Sequence, residues 1–341
     1  ESLKLLDEPT TKTLLDALRS GFENFVLQTL IIYTCVKPDK LSHVAKYRLA
    51  AWTNDDLIEY LLSTNRERCG SVLTRLRSAG DESVAGGNPR LLRAATDQMV
   101  QHESIQTVRG AWERFLDDCL KDHRQRSIAE NYSLYLLTGN EKLQYKTGLQ
   151  LSRPGCSQEL LGFLKHSAPQ VVLAANRVAC ELERSGRTLL LDAPLPRELV
   201  NEVSRRIVHK PEAINRLKNM LVEVEHERHA AAASILHACQ IGWQPVPCVP
   251  CVPWLPLDQS KREPLLFFPL LTGAFLSEAN WPGIQLSRVH LGNADLSHSN
   301  LAGAKLDGTH MPSVDLQNAN LHHASMGSTL APDACLVGAD L

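Results

Sequence analysis

A period of five, running through the last fifth of the chain, constrains its fold more than any other feature. From about Pro269 onward every fifth residue is large and apolar: Leu271, Leu276, Trp281, Leu286, Leu291, Leu296, Leu301, Leu306, Met311, Leu316, Leu321, Met326, Leu336 and Leu341. Only Ala331 interrupts the series. Two residues before these positions lie mostly small ones, such as Ala274, Ala279, Ala294, Ser299, Ala304, Thr309, Ala319 and Ala339. Between them recur Asn280, Asp295, Asn300, Asp315, Asn320 and Asp340. Such a period matches neither a helix, at about 3.6, nor a strand, at about 2. It fits a coil that turns a corner every five residues. Each side then points one large and one small residue inward. Asn and Asp suit the corners, because their side chains bond neighbouring backbone and tolerate turn geometry.

This pattern, as in "LGNADLSHSNLAGAKL", resembles the pentapeptide-repeat family over residues 269 to 341. The resemblance implies a right-handed quadrilateral β-helix of roughly three to four coils, stacked ~4.8 Å apart. Each inward Leu would contribute ~1.5–3 kcal/mol, but an open end exposes that core, so solenoids need caps. Leu341 ends the chain in mid-pattern and Glu1 is not Met, so both ends read as cut. The resemblance also implies a non-catalytic role as a scaffold or protein-interaction surface, with a protein partner on the solenoid face. Some family members mimic DNA with long acidic rods. Here Glu278, Asp295, Asp307, Asp315, Asp333 and Asp340 face only Arg288 and Lys305, a mild excess on a short rod, and no nucleic-acid partner is expected.

Residues 41–241 carry a different, helical pattern. "NDDLIEYLL" has Thr53 or Asn54 as N-cap candidate and acids in its first turn. "NPRLLRAATDQM", "VRGAWERFLDDCL", "APQVVLAANRVACELERSG" and "AINRLKNMLVEVEHERHAAAASILHAC" repeat apolar residues at helical spacing. Pro89 and Pro169 fit first turns, and Gly186 fits a helix end. "TLLLDA", residues 188–193, is the one strand candidate. "EHERH" lacks the His spacing of a zinc-protease helix, because His226 and His229 are three apart rather than four, and it reads as solvated helix surface.

Residues 242–268 contain "WQPVPCVPCVPWLPL", whose five prolines exclude helix and sheet interior and predict an extended linker. Cys248 and Cys251 form a CxxC there, preceded by His237 and Cys239. His237 and Cys239 diverge by about 200° on a helix, so the four do not read as a zinc site, and no metal is expected. The nine cysteines are scattered and odd in number. That pattern suits a reducing compartment, and a cytoplasmic location is expected. No apolar run is long enough to span a bilayer, so no membrane partner is expected either.

The N-terminal stretch "LLDEPTTKT", residues 5–13, carries the spelling of an NTPase Mg²⁺-site strand. The ABC-ATPase version fails, since Asp16 comes two residues late for the Leu-Asp pair that follows in that class. The order of later motifs resembles the rear half of a NACHT-like NTPase of the STAND class, over about residues 1 to 100. A β-rich run "TLIIYTC" leads to Thr34-Cys35-Val36-Lys37-Pro38, then "YRLAAWTNDDLIEYLL", then Gly87-Asn88-Pro89. The resemblance implies that Asp7 holds Mg²⁺ through water and Glu8 polarises the attacking water. It makes Thr34 and Lys37 sensor residues, although the turn has one inserted residue and Lys where the class has Arg. Gly87 and Pro89 would close over the adenine. An Ala-rich helix before pentapeptide repeats also occurs in such proteins, and "RHAAAASILHACQIGW" occupies that place.

No G-x-x-x-x-G-K-[ST] loop occurs anywhere in the 341 residues, so the phosphate cradle is missing from this chain. The expected architecture is therefore mixed. An α/β NTPase remnant spans residues 1–40, a mostly α-helical body 41–241, a Pro-rich linker 242–268 and a β-helix 269–341. The expected function is a non-enzymatic protein-interaction or scaffold module without a cofactor. The alternative is a fragment of a longer nucleotide-switched signalling ATPase, with ATP and Mg²⁺ held by a P-loop upstream of residue 1.

Overall fold

A computed structural model describes residues 51–79, 86–139, 160, 163–184, 190–192, 195–223, 226–246 and 270–341. The chain divides into two compact units, Glu1–Ala51 and Trp52–Leu341. The second unit holds everything described below. Asp7, Glu8, Thr34, Lys37, Cys248 and Cys251, together with Gly186, lie outside the described residues.

The helical body begins where the capping chemistry predicts. Helix α1 spans Asn54–Thr64, and its N-cap is Thr53, not Asn54. The Asp56 amide reaches the Thr53 hydroxyl at 3.3 Å, and the Asp56 carboxylate accepts the Thr53 amide at 2.7 Å, a reciprocal capping box. Donation from the Thr53 hydroxyl, and next from the Thr53 amide, holds the Asp56 carboxyl below its ordinary pKa. A 3₁₀ turn at Arg66–Arg68 leads into α2, Cys69–Ala79. Helix α3, Pro89–Gln101, starts with proline in its first turn under an Asn88 cap. Helix α4 is Val108–Cys119 and α5 is His123–Thr138, which ends at Gly139 with φ +65°. Only glycine occupies that left-handed position without cost.

These helices bury one core of Leu57, Leu61, Val72, Leu76, Met99, Trp112 and Leu116 with Phe163. Trp112 is fully buried and donates its indole N–H to the Leu91 carbonyl at 2.9 Å. The C-terminus of α3 is held by a side chain of α2. Arg75 is 8% exposed and donates to the carbonyls of Met99, His102, Glu103 and Ile105 at 2.8–3.3 Å. A cation there meets the negative helix end as well as the carbonyls themselves. Arg75→Met should therefore cost ~2–4 kcal/mol, read as a lower urea midpoint; a change under ~0.5 kcal/mol would contradict this role.

Helix α6, Ser167–Glu183, is the spine of the body. Its Val172 and Leu173 belong to the first core, while Ala174, Val178 and Leu182 belong to a second. The second core adds α7 (Arg197–Ile207), α8 (Pro211–Met220) and α9 (His229–Ala238), and runs on without a break into residues 271–321.

Two sequence expectations change here. The run 213–239 is not one helix: α8 ends at Met220, a 3₁₀ turn occupies His226–Arg228, and α9 follows. A straight helix over that run would be ~40 Å long and could not return both Leu217 and Ala232–Leu236 to one core, where all are buried. The described part of the strand candidate, Leu190 to Asp192, is a turn, and Leu190 and Leu191 are buried in it. Among the described residues no helix is long and apolar enough to cross a membrane.

Candidate functional site

From residue 270 the chain forms a rod whose every side is a repeated turn. Its bridges are all parallel and offset by 20 residues, as in Phe275 with Asp295, Asn280 with Asn300, and Gln285 with Lys305. Four sides of five residues make that offset. Most sides close with a backbone bond from the inward residue before the corner to the preceding large one, as from Ala274 to Leu271 at 3.1 Å and from Ala304 to Leu301 at 2.9 Å. The large series from Leu271 to Leu321 is buried, and so are Ala274, Ala279, Ala294, Ser299, Ala304, Thr309 and Ala319. Ile284, Val289 and Val314 fill the same inward position.

The corners differ from expectation in one respect. The left-handed residue is the second after each large one: Gly273, Glu278, Gly283, Arg288, Asn293 and His298 all have positive φ. It is not Asp295 or Asn300. Those residues carry the bridges between coils, which require extended backbone. Their side chains nevertheless brace the corner. Asp295, Asn300, Asp315 and Asn320 each accept the amide two residues ahead, at 3.0–3.3 Å. A left-handed third position is what a type II turn demands.

The first coil is covered by helix α9. In later coils the amide at the bridge position bonds the coil before, as Asp295 does to the Ala274 carbonyl at 2.9 Å. For Phe275 the acceptor is instead the Ser234 hydroxyl, at 2.9 Å. The carbonyl of Ser297 accepts an amide from Glu278; the matching carbonyl of Ser277 takes the imidazole of His237 at 2.7 Å. The Leu270 amide bonds Nδ1 of His229 at 3.0 Å. Side chains of α9 thus occupy the hydrogen-bonding places that a preceding coil would fill. Ala231, Ala232 and Ala233 are buried and short enough to let the helix lie close.

Two further contacts fasten the junction. Trp281 is 2% exposed, donates to the Trp243 carbonyl at 3.3 Å and meets both His237 and Trp243 edge to face. Arg197 of α7 forms an ion pair with Asp295, bonds Ser277 at 3.0 Å and lies over the Phe275 ring. At the far end burial fades: Leu330 is 62% and Leu341 70% exposed.

Residues 270–301 and 294–330 match the family described as pentapeptide repeats, in eight copies. This segment consists of pentapeptide repeats. The solved structures it resembles include the pentapeptide-repeat protein Rfr23 of the cyanobacterium Cyanothece 51142, 30% identical, over 25% of this chain and 63% of that one, with a TM-score of 0.19. A pentapeptide-repeat protein of the Arabidopsis thaliana thylakoid lumen is 32% identical over 21% of this chain and 54% of its own length, with a TM-score of 0.14. HetL, a pentapeptide-repeat protein involved in heterocyst differentiation regulation in Nostoc sp. strain PCC 7120, is 33% identical over 20% of this chain and 37% of its own, with a TM-score of 0.10. The chain thus spans 37–63% of the length of these structures. No curated protein matches it.

Of the nucleotide-site residues that the sequence suggests, Gly87 and Pro89 are among the described residues. Gly87 has φ +67°, and its carbonyl accepts the Trp52 amide at 2.7 Å. Pro89 opens α3, and Asn88 caps it by accepting the amides of Arg90 and Leu91 at 3.0 and 3.3 Å. His166, which no sequence motif marked, approaches Asn88 through Nδ1 at 3.5 Å. Burial, aided by the charges of Arg90 and Lys165, holds this imidazole below its ordinary pKa.

The side chains of His237 and Cys239 meet different partners, the imidazole bonding the Ser277 carbonyl. The Cys239 thiol is buried against the Ser204 carbonyl at 3.8 Å, and burial raises it to about 11. Among the described residues no group of His, Cys, Asp or Glu is arranged to hold a metal ion. The reading of "EHERH" as solvated surface holds for the exposed Glu227 and is corrected for Arg228 and His229. Arg228 is 4% and His229 2% exposed, because the turn before α9 folds them inward against Asp192 and the Glu223 carbonyl.

Proposed function

We propose that the chain is a non-catalytic protein-interaction or scaffold module that presents its pentapeptide rod to a partner from a fixed helical base. The observation that carries this reading is the continuous core linking α6–α9 to Leu271–Leu321. A rod joined to its base in this way holds its outward columns at set positions, with Gln285, Lys305 and Ser325 on one side and His290 and His310 on another. Solenoid faces of this kind serve binding. The protein partner is expected on these faces, with no nucleic acid and no membrane involved. The mild acidity of the rod is partly used up inside the chain, since Asp295 pairs with Arg197 and Asp307 accepts from Ser325 and Gly327. A cytoplasmic setting agrees with the free thiols of Cys69, Cys119, Cys180, Cys239 and Cys335. Co-purification from source cells, repeated with Lys305→Glu, tests the reading: partners should be recovered and lost together on that change. Identical recoveries with a chain lacking residues 270–341 would sink it.

The second reading, a piece of a nucleotide-switched NACHT-like ATPase, draws on one local feature. The segment at Trp52 is tied to Gly87, and the Gly87-Asn88-Pro89 turn faces His166. Without a phosphate cradle in the sequence, the chain should show no ATP binding by calorimetry with Mg²⁺. A micromolar affinity that disappears on Asp7→Ala would favour the second reading over the first.

A further inference from the structure

We propose that the groove where the rod meets the helical body binds an extended peptide of a protein partner, with a basic side chain of that peptide set against Glu278. The groove encloses about 530 Å³ between α7, the end of α9 and the first coil, a volume typical of ligand sites. Its lining includes two partly exposed aromatic side chains, Phe275 and Trp243, while Trp281, packed edge to face on Trp243, is buried. Around it stand four side-chain amides, those of Asn201, Gln240, Gln244 and Asn280.

That combination suits one kind of occupant. An amide side chain offers both a donor and an acceptor, matching the unpaired N–H and C=O of an extended backbone. Aromatic walls accept the apolar side chains that alternate along it. Among the described residues, no hydrogen bond engages the side chains of Asn201, Gln240 or Gln244. The joint also exposes apolar surface: Ile241 is 40% and Val246 65% exposed, on the segment that carries Trp243.

Charge decides the selectivity. Arg197 is neutralised by Asp295, and the Nε2 of His237 is occupied by the Ser277 carbonyl. The remaining carboxylate is Glu278, which is exposed, has φ +62° and enters no ion pair among the described residues. A basic side chain would complete the site, in a contact weakened by salt.

The proposal rests on the protein-binding reading but moves the contact from the rod's outer columns to its joint. The test is to pan a phage-displayed library of random dodecapeptides against the full chain and measure selected peptides by calorimetry. Selected peptides should carry Lys or Arg, and their affinity should fall at least ~10-fold on Glu278→Lys. A similar loss is expected on Trp243→Ala, and a smaller one on Gln244→Ala, an exposed change that spares the fold. Peptides without basic residues, or indifferent to Glu278→Lys, overturn the groove. So does a library that yields no binder. Peptides that respond to Lys305→Glu and not to Glu278→Lys overturn the groove alone and leave the rod's binding role standing.

Discussion

Replacing Arg228 by Met should destabilise the protein by ~3–5 kcal/mol in a urea titration followed by helix signal. Arg228 and Asp192 are 5% and 7% exposed at the side chain, and Nε lies 2.7 Å from the carboxylate. A second carboxylate, Glu223, stands 3.8 Å away. The substitution removes the opposite charge from a carboxylate that burial has already taken out of water, which is what makes a broken buried pair costly. Replacing both partners, as Arg228→Met with Asp192→Leu, should recover much of the loss, because an apolar pair needs no compensating charge. A single substitution costing under ~1 kcal/mol would contradict the buried pair. Arg228 sits where the chain enters α9, so this loss should also loosen the cap on the rod.

The second large effect concerns the rod itself. Leu296→Ala should cost ~2–5 kcal/mol, since Leu296 is 1% exposed in the middle of the stack and deletion leaves a cavity. Leu336 holds the same place in the repeat but is 39% exposed. Its replacement by Ala should cost under ~1 kcal/mol, because little apolar area is withdrawn from water there. Equal costs at the two positions would show that repeat position, and not burial, sets stability. The Leu296 variant should lower helical and rod signals together, because the second core runs through both.

Much of this was legible from the residues, for physical reasons that differ by region. The period of five named the inward leucines and their small neighbours because a coil of equal sides treats every repeat alike. The start of α1 was readable to within one residue, Thr53 or Asn54, because capping chemistry is local. Asn and Asp suited the corners because their side chains bond neighbouring backbone, as they do here, but only the inter-coil bridges show that their own backbone is extended and that the left-handed residue lies elsewhere. The break between α8 and α9 was hidden because apolar spacing continues across it, while only the shared core forces the reversal. No sequence motif marks His229, Ser234 or His237 as partners of the first coil. Their roles depend on which backbone groups of residues 270–277 lack a preceding coil.

Hydrogen exchange across residues 270–290 in Ala233→Glu tests the capped rod most directly. Ala233 is fully buried and lies one turn from both His229 and His237, so it shares the face that meets the first coil. A carboxylate there has no compensating partner and should push the rod off its base. The prediction is lost protection at Leu270, Phe275 and their coil, while the amides of α3 and α4 exchange as before. Unchanged protection across residues 270–290 would contradict a rod anchored through α9.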